Sequence, residues 1–224
     1  MSRARRGADA VAVGAGERPP SGTVALAGTP AGPAAGEIAT PRIAPLPEGE
    51  WDELLVELVR SSDETAPGPS SIFATLARHP DLFRSWLGMG GTLLYGRLPG
   101  RLRELVILRT ALHCACTYEW CHHVIIARRE GVGDHEIAAV RRDPAAGSWS
   151  SAERAALQAA DELHGAGLVG DRTWSALAAT LTEDQVIELV MLVGFYHMVA
   201  FCLRTFGVQV EPITRKVAGP AGSM

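Results

Sequence analysis

The segment from Glu104 to His123 contains the densest group of side chains in this sequence that can perform acid–base or thiol chemistry. Glu119 and His123 are four residues apart, and Cys116 lies three residues before Glu119. At roughly 100° per residue of α-helix, residues at these spacings project from one face. The sequence therefore predicts a thiol, a carboxyl and an imidazole along one side of a single helix.

The position of each group on that helix suggests its chemistry. Cys116 falls at the helix start, where the macrodipole and unpaired amides favour a thiolate and lower its pKa. Glu119 opposes this effect, since two neighbouring acids raise each other's pKa. His123 is suited to carry a proton if a carboxylate orients its ring. Glu104, on the preceding helix, could reach His123 if the two helices pack against each other, but the sequence leaves that contact open.

The same segment also contains possible metal ligands. His113, Cys116, Glu119 and His123 can all bind a metal, but their spacing matches no closed zinc pattern. We therefore expect no metal site. The remaining cysteines are expected to be small buried hydrophobes; they are Cys114, Cys121 and Cys202.

The elements that must position these residues are predicted to be helices throughout. Apolar spacing predicts helices over residues 101–113 and 117–130, and capping-box patterns at 150–153 and 182–185 indicate two further helix starts. No stretch alternates as a strand does, and no glycine-rich phosphate loop is present. The expected fold class is all-α.

The domain organisation follows from composition. Residues 1–36 are rich in Gly, Ala and Pro without a helical period, so we expect a disordered tail. Residues 37–212 form one helical domain, and residues 213–224 are expected to be a flexible tail.

Composition also excludes several classes of function. The net charge of −4 and the pI near 6.0 argue against nucleic-acid partners and polybasic membrane binding. The most apolar stretch, 186–203, contains Glu188 and His197, which favours a core helix over a membrane span. Lys216, the only lysine, lies in the C-terminal tail, which disfavours Schiff-base chemistry. Without a signal peptide, the chain is expected to be cytoplasmic.

These residues resemble the carboxymuconolactone decarboxylase and alkylhydroperoxidase D superfamily. The alkylhydroperoxidase D pattern is Glu, eleven residues, Cys, two residues, Cys, three residues, His. Glu104, Cys116 and His123 match it in register, and Glu119 stands at the second cysteine. Flanking segments such as Tyr-Glu-Trp at 118–120 are similar to the decarboxylase-like branch. The resemblance covers roughly residues 45–212.

The resemblance implies a compact helical bundle of the alkylhydroperoxidase D-like type, assembled as a homo-trimer or homo-hexamer. In the decarboxylase branch, a small lactone carboxylate loses carbon dioxide without an organic cofactor. By resemblance, His123 donates the proton, while Glu104 and Glu119 set its charge and orientation. The expected substrate contacts are Tyr118, Arg109, Trp120 and His197.

Three functions remain open at this point. The first is a cofactor-independent lyase or isomerase acting on a small carboxylate or lactone. The second is a thiol-dependent alkyl hydroperoxide reductase, which the missing second cysteine disfavours. The third is a non-catalytic helical assembly protein.

Overall fold

The computed structural model describes residues 38–61 and 71–222, and these residues confirm the all-α class. They form helices and short 3₁₀ turns without any strand. The disordered tail predicted for residues 1–36 lies outside the described residues. The helices are α1 Glu53–Ser61, α2 Ser71–Leu76, α3 Pro80–Leu94, α4 Gly100–His113, α5 Thr117–Arg129, α6 Asp134–Ala139, α7 Ser151–Ala166, α8 Asp171–Ala178, α9 Glu183–Phe206 and α10 Pro212–Ala218.

Helix α4 lies at the centre of the fold. Its buried residues surround the helix instead of forming one stripe, so it has almost no polar face. Val106 and Ile107 pack into a core cluster with α7 and α9. Leu105 and Leu108 pack into a second cluster with α5. Any polar group on α4 is therefore buried and must find a partner inside the protein.

A tight turn joins α4 to α5 and folds α5 back along α4. Cys116 N–H donates to Ala111 O at 2.9 Å, and Ala115 N–H donates to Leu112 O at 3.0 Å. This pair of bonds is a Schellman motif, which places one residue in the left-handed region. That residue is Ala115, with φ 48°, where glycine is usual. The turn brings the middle of α4 beside the middle of α5.

The two predicted capping boxes differ in detail. At α7, Ser150 Oγ accepts from Glu153 N–H at 3.2 Å, and Glu153 Oε2 accepts from Ser150 N–H at 2.9 Å. At α9, Gln185 Oε1 accepts from Thr182 N–H at 3.0 Å. The Thr182 hydroxyl instead donates to Asp184. Both helices thus begin where the sequence indicates.

Helix α9 has the length and hydropathy of a membrane span, but half of its most apolar window is buried within the bundle. That burial is typical of a core helix, as the sequence indicates. The opposite side of α9 leaves five large apolar residues exposed at helical spacing: Ile187, Val190, Met191, Met198 and Phe201.

The sequence predicts a flexible tail from residue 213, and the structure corrects this prediction, because residues 212–218 form helix α10. Pro212 occupies the first turn, where its missing N–H has no cost. Thr214 and Ala218 are buried, and Ala218 packs into the same cluster as Trp120 and Cys121. Packing against α5 overrides the weak helical signal of this short segment.

Candidate active site

A carboxylate–imidazole pair joins α4 to α5 at the centre of the fold. His123 Nδ1 lies 2.7 Å from Glu104 Oε2, and both side chains are buried. The contact that the sequence left open is therefore present. Because an ionised carboxylate only accepts hydrogen bonds, Nδ1 carries the hydrogen and Nε2 is left for other chemistry.

Two further groups fix this pair in place. Arg103 Nε donates to Glu104 Oε1 at 2.9 Å, and Arg103 Nη2 bridges to Glu130 Oε1 at 3.2 Å. On the other side, the His123 ring meets Tyr196 edge-on, with ring centroids 4.9 Å apart. The imidazole is thus oriented by a charge network behind it and an aromatic ring beside it.

Glu119, one turn before His123, is in an unusual environment for a carboxyl group. Only 2% of the residue is exposed, and neither oxygen has a hydrogen-bond partner among the described residues. Burial raises the pKa of Glu119 well above its ordinary value, and the neighbouring Cys116 thiol offsets only part of that shift. Since an unpaired buried charge is costly, this side chain is expected to stay protonated at neutral pH.

Glu119 and His123 both line a cavity of about 420 Å³, here called the aromatic cavity. Its size falls within the range of about 300–1,000 Å³ typical of small-molecule sites. The aromatic residues that line it are Phe73, Trp86, Tyr95, Tyr118, Phe195 and Tyr196. Trp86 and Phe195 stack with ring centroids 5.6 Å apart. The cavity therefore offers flat apolar surfaces around two proton-transferring groups.

Cys116 differs from its prediction in two respects. It occupies the N-cap of α5, as expected, but burial raises its pKa. The expected dipole-stabilised thiolate is therefore wrong, since desolvation outweighs the dipole. Cys116 also lines a different cavity, of about 690 Å³, here called the second cavity. The single stripe of three groups is thus divided between two cavities.

Arg109 and Trp120, which the sequence predicts to contact substrate, lie away from both cavities. Arg109 forms two hydrogen bonds to Asp161, at 2.5 and 2.8 Å, and a third to Arg142 O at 2.8 Å. Trp120 is fully buried in the second core cluster, with the Arg141 guanidinium 4.6 Å from its ring. Neither residue lines either cavity.

Tyr118 and His197, the other two predicted substrate contacts, each line a cavity. Tyr118 lines both cavities, but its hydroxyl donates to Glu211 Oε1 at 2.9 Å and accepts from Ile72 N–H at 3.3 Å. Its ring can therefore contact a ligand, while its hydroxyl is engaged. His197 lines the second cavity and not the aromatic cavity, so it does not share a site with His123.

Sequence reasoning missed Arg103 and undervalued the aromatic residues as a group. Arg103 precedes Glu104 in sequence, and an arginine on a helix buried all round is a signal of an internal ion pair. Phe195 and Tyr196 belong to the apolar stretch 186–203, and they are buried as in a core helix, but they also form one side of the aromatic cavity. Nothing in their spacing distinguishes these two roles.

Comparisons with known proteins agree with this architecture. Residues 80–162, which include all four predicted catalytic residues, match the carboxymuconolactone decarboxylase family. No curated protein matches the chain significantly.

Several solved structures share the fold. A cysteine-to-alanine variant of the debrominase Bmp8, in complex with 2,3,4-tribromopyrrole, has a TM-score of 0.67 at 19% identity. That match covers 78% of this chain and 94% of the debrominase. An alkylhydroperoxidase D core protein from Ralstonia eutropha, described as peroxidase-related and uncharacterised, has a TM-score of 0.68 at 21% identity, covering 77% and 94%. A protein of unknown function from Agrobacterium tumefaciens, described as a putative antioxidant defence protein, has a TM-score of 0.57 at 17% identity, covering 61% and 94%.

The family match and the shared fold agree with the spacing of Glu104, Cys116 and His123. The chain is therefore similar to the carboxymuconolactone decarboxylase family over residues 80–162, and it shares its fold with an alkylhydroperoxidase D core protein.

Proposed function

We propose that this protein is an enzyme that transfers a proton on a small carboxylate or lactone, in a decarboxylation or isomerisation that needs no organic cofactor. The observation that supports it is the environment of Glu119. A buried carboxyl whose oxygens have no N–H or O–H donor among the described residues faces a cavity beside an imidazole that a second carboxylate orients. Two acids with such different surroundings can perform different roles in one reaction.

In the decarboxylation, the bond between the ring carbon and the substrate carboxylate breaks, and its electron pair moves into the conjugated lactone as an enolate. Glu119, as a neutral acid, donates a hydrogen bond to the developing enolate oxygen. Protonated His123 delivers its Nε2 proton to carbon, and the ring then regains a proton from solvent. Glu104 keeps the hydrogen on Nδ1 and balances the charge of the imidazolium, as in a catalytic triad.

The lining of the aromatic cavity favours this chemistry. No arginine or lysine lines it among the described residues, so a bound carboxylate has no permanent cation as a partner. A poorly solvated carboxylate loses its negative charge when it is released as carbon dioxide, and this loss favours decarboxylation. The flat aromatic surfaces suit a small planar ring. The debrominase with the same fold was solved with tribromopyrrole, a ligand of that kind.

The alternative function, a thiol-dependent peroxidase, has less support from the environment of the cysteines. Burial raises the pKa of Cys114 to about 12 and also raises the pKa of Cys116. A peroxidatic cysteine needs the opposite, because the thiolate is the nucleophile. The non-catalytic alternative is disfavoured by the open aromatic cavity beside His123.

The test is incorporation of deuterium from solvent into small ring carboxylates and lactones, followed by NMR. The proposal expects turnover that Glu119→Gln and His123→Ala each reduce by about 10²–10⁴-fold, the usual contribution of a positioned acid or base. Cys116→Ser and the control Cys202→Ser should keep it. Peroxide reduction that disappears in Cys116→Ser, without any deuterium incorporation, would support the peroxidase instead.

We also propose that the chain forms a cytoplasmic homo-trimer or homo-hexamer. The exposed apolar residues of α9 support assembly, since Ile187 and Phe201 are each more than 60% exposed. None of the four cysteines, all of which lie within the described residues, forms a disulfide, which suits a reducing compartment.

A further inference from the structure

A cluster of metal-binding side chains lies apart from the aromatic cavity. Cys114 follows α4, His164 lies in the last turn of α7 and His197 lies in the middle of α9. Three of their ligand atoms, one sulfur and two ring nitrogens, lie within 4.8 Å of one another. Because the residues are far apart in sequence, no spacing motif could have revealed them.

The distance between the two histidines suits a shared ion. His164 Nδ1 lies 2.9 Å from His197 Nε2. Two nitrogens about 2.0–2.1 Å from one tetrahedral zinc ion lie roughly 3.3 Å from each other. The rings thus need to separate by only a few tenths of an ångström to accept an ion between them.

The outer contacts of these histidines also resemble those of metal ligands. His197 Nδ1 lies 2.8 Å from Val193 O, so it carries the hydrogen and Nε2 keeps its lone pair toward the cluster. A backbone carbonyl behind a ligand histidine fixes its tautomer and ring orientation. His164 stacks on His113 with ring centroids 4.6 Å apart, and His113 Nε2 lies 2.6 Å from Asp161.

The third ligand, Cys114, has a backbone position that two contacts fix. Cys114 ends α4 at the Schellman turn, and Arg204 Nη1 donates to its carbonyl oxygen at 2.8 Å. The thiol is buried, yet the residue lines the second cavity together with both histidines. An ion bound here would face a cavity of about 690 Å³.

We propose that Cys114, His164 and His197 form a site for a divalent transition metal such as Zn²⁺, with the fourth coordination position open to the second cavity. Binding replaces the thiol proton of Cys114, which leaves to solvent, with a sulfur–metal bond. The histidines bind as neutral imidazoles: their mutual hydrogen bond breaks, the hydrogen on His164 Nδ1 leaves to solvent, and His164 Nε2 takes one up from solvent, so that Nδ1 presents its lone pair to the metal. A set of three protein ligands with one open position is the arrangement found in catalytic zinc sites.

The experiment is a titration of the purified full-length chain with Co²⁺, which reports its ligands by absorption, followed by competition with Zn²⁺. We expect one equivalent to bind, with tetrahedral visible bands and a thiolate-to-cobalt charge-transfer band. Cys114→Ser should remove the charge-transfer band. His197→Gln and His164→Gln should each weaken Zn²⁺ binding by at least about 10–100-fold, the loss known even for groups outside the ligand set.

Matched variants separate this site from the other thiols and from the aromatic cavity. Cys116→Ser, Cys202→Ser and His123→Ala should leave the cobalt spectrum and the zinc affinity unchanged. A charge-transfer band that survives Cys114→Ser, or that disappears in Cys116→Ser, overturns the assignment. So does equal zinc affinity in wild type and His197→Gln. Because His123→Ala removes the proposed proton transfer but not this site, either proposal can fail without the other.

Discussion

His123 Nδ1 lies 2.7 Å from Glu104 Oε2, and this contact joins the two helices that flank the Schellman turn at Ala115. It gives the imidazole one orientation and one tautomer, with Nε2 left for the substrate. Arg103 holds the other oxygen of the same carboxylate at 2.9 Å. The proposed proton donor is therefore positioned from behind by a buried charge network.

Glu104→Gln tests this positioning role. The amide can still occupy the space, but it no longer balances the imidazolium, so we expect kcat to fall about 100-fold or more with little change in KM. The pH profile of kcat should also change shape, which a purely structural residue would not cause. Because the change leaves Arg103 with Glu130 but without the Glu104 carboxylate, circular dichroism must first establish that the variant is folded. An unchanged pH profile in a folded variant would remove Glu104 from the mechanism.

Glu119→Gln should reduce turnover and, at the same time, increase the stability of the fold as pH rises. Burial raises the pKa of Glu119 in the folded protein, so its ionisation favours the unfolded state increasingly as pH rises above the ordinary value. Glutamine cannot ionise, so urea unfolding should show the variant gaining stability relative to wild type as pH rises above the ordinary carboxyl pKa of 4.5. Turnover should fall about 10²–10⁴-fold. A variant that is less stable at alkaline pH would show that Glu119 is ionised and paired in the fold.

The site could be predicted only where local helix geometry decides it. Glu119 and His123 share a helix, so the period of 3.6 residues places them on one face whatever surrounds them. Arg109 and Trp120 also lie on correctly predicted helices, but those helices are buried on nearly every side. Without a polar face, the sequence gives no indication of which side meets a cavity. The position of His197 could not be predicted for a different reason, because the second cavity forms only when α4, α7 and α9 pack together.

Ala115→Gly should stabilise the protein by about 1 kcal/mol. Ala115 has φ 48° at the turn after α4, and the left-handed region costs roughly 1–2 kcal/mol for a residue with a Cβ. Part of that gain is offset because glycine loses more entropy on folding. The measurement is the free energy of unfolding in urea. As a control, Ala176→Gly on the exposed face of α8 should destabilise by about 0.5–1 kcal/mol. If Ala115→Gly and Ala176→Gly reduced the free energy of unfolding equally, the turn at Ala115 would be unstrained.

Glu211→Gln should reduce the dependence of stability on acid. The Glu211 carboxylate accepts hydrogen bonds from Ser71 N–H at 2.6 Å and Tyr118 Oη at 2.9 Å, and pairs with His122 at 2.8 Å. Burial opposes these contacts, but His122 and the backbone lower the pKa to about 2. The stabilisation is thus complete above the ordinary carboxyl pKa and is lost as pH falls toward about 2.

The ionised Glu211 carboxylate stabilises the fold by up to about 3 kcal/mol, because its pKa is lowered from 4.5 to about 2 and each unit corresponds to about 1.36 kcal/mol. Urea unfolding at pH 7 should show Glu211→Gln less stable than wild type, with the gap closing near pH 2. The exposed Glu183 provides a control, since Glu183→Gln should leave the acid dependence unchanged. A gap that stays constant with pH would mean that packing, and not ionisation, explains the loss.

Phe201→Asp should dissociate the proposed assembly. Phe201 is 64% exposed on the apolar side of α9, so a charge there costs the monomer little but disrupts an apolar interface. Light scattering after size exclusion should give three or six times the monomer mass for wild type and a smaller species for the variant. Trp174, on α8 and 53% exposed, offers a matched substitution outside that stripe. A wild-type monomer would contradict the assembly outright.

The protonation state of Glu119 can be observed directly by infrared difference spectroscopy across a pH titration. A protonated carboxylic acid has a carbonyl stretch that the carboxylate lacks. The account predicts that wild-type protein keeps this band at about pH 7, that Glu119→Gln removes it, and that a lactone bound in the aromatic cavity shifts it. A band that disappears above about pH 5, or that survives in Glu119→Gln, would show that Glu119 is an ordinary carboxylate and contradict the proposed acid.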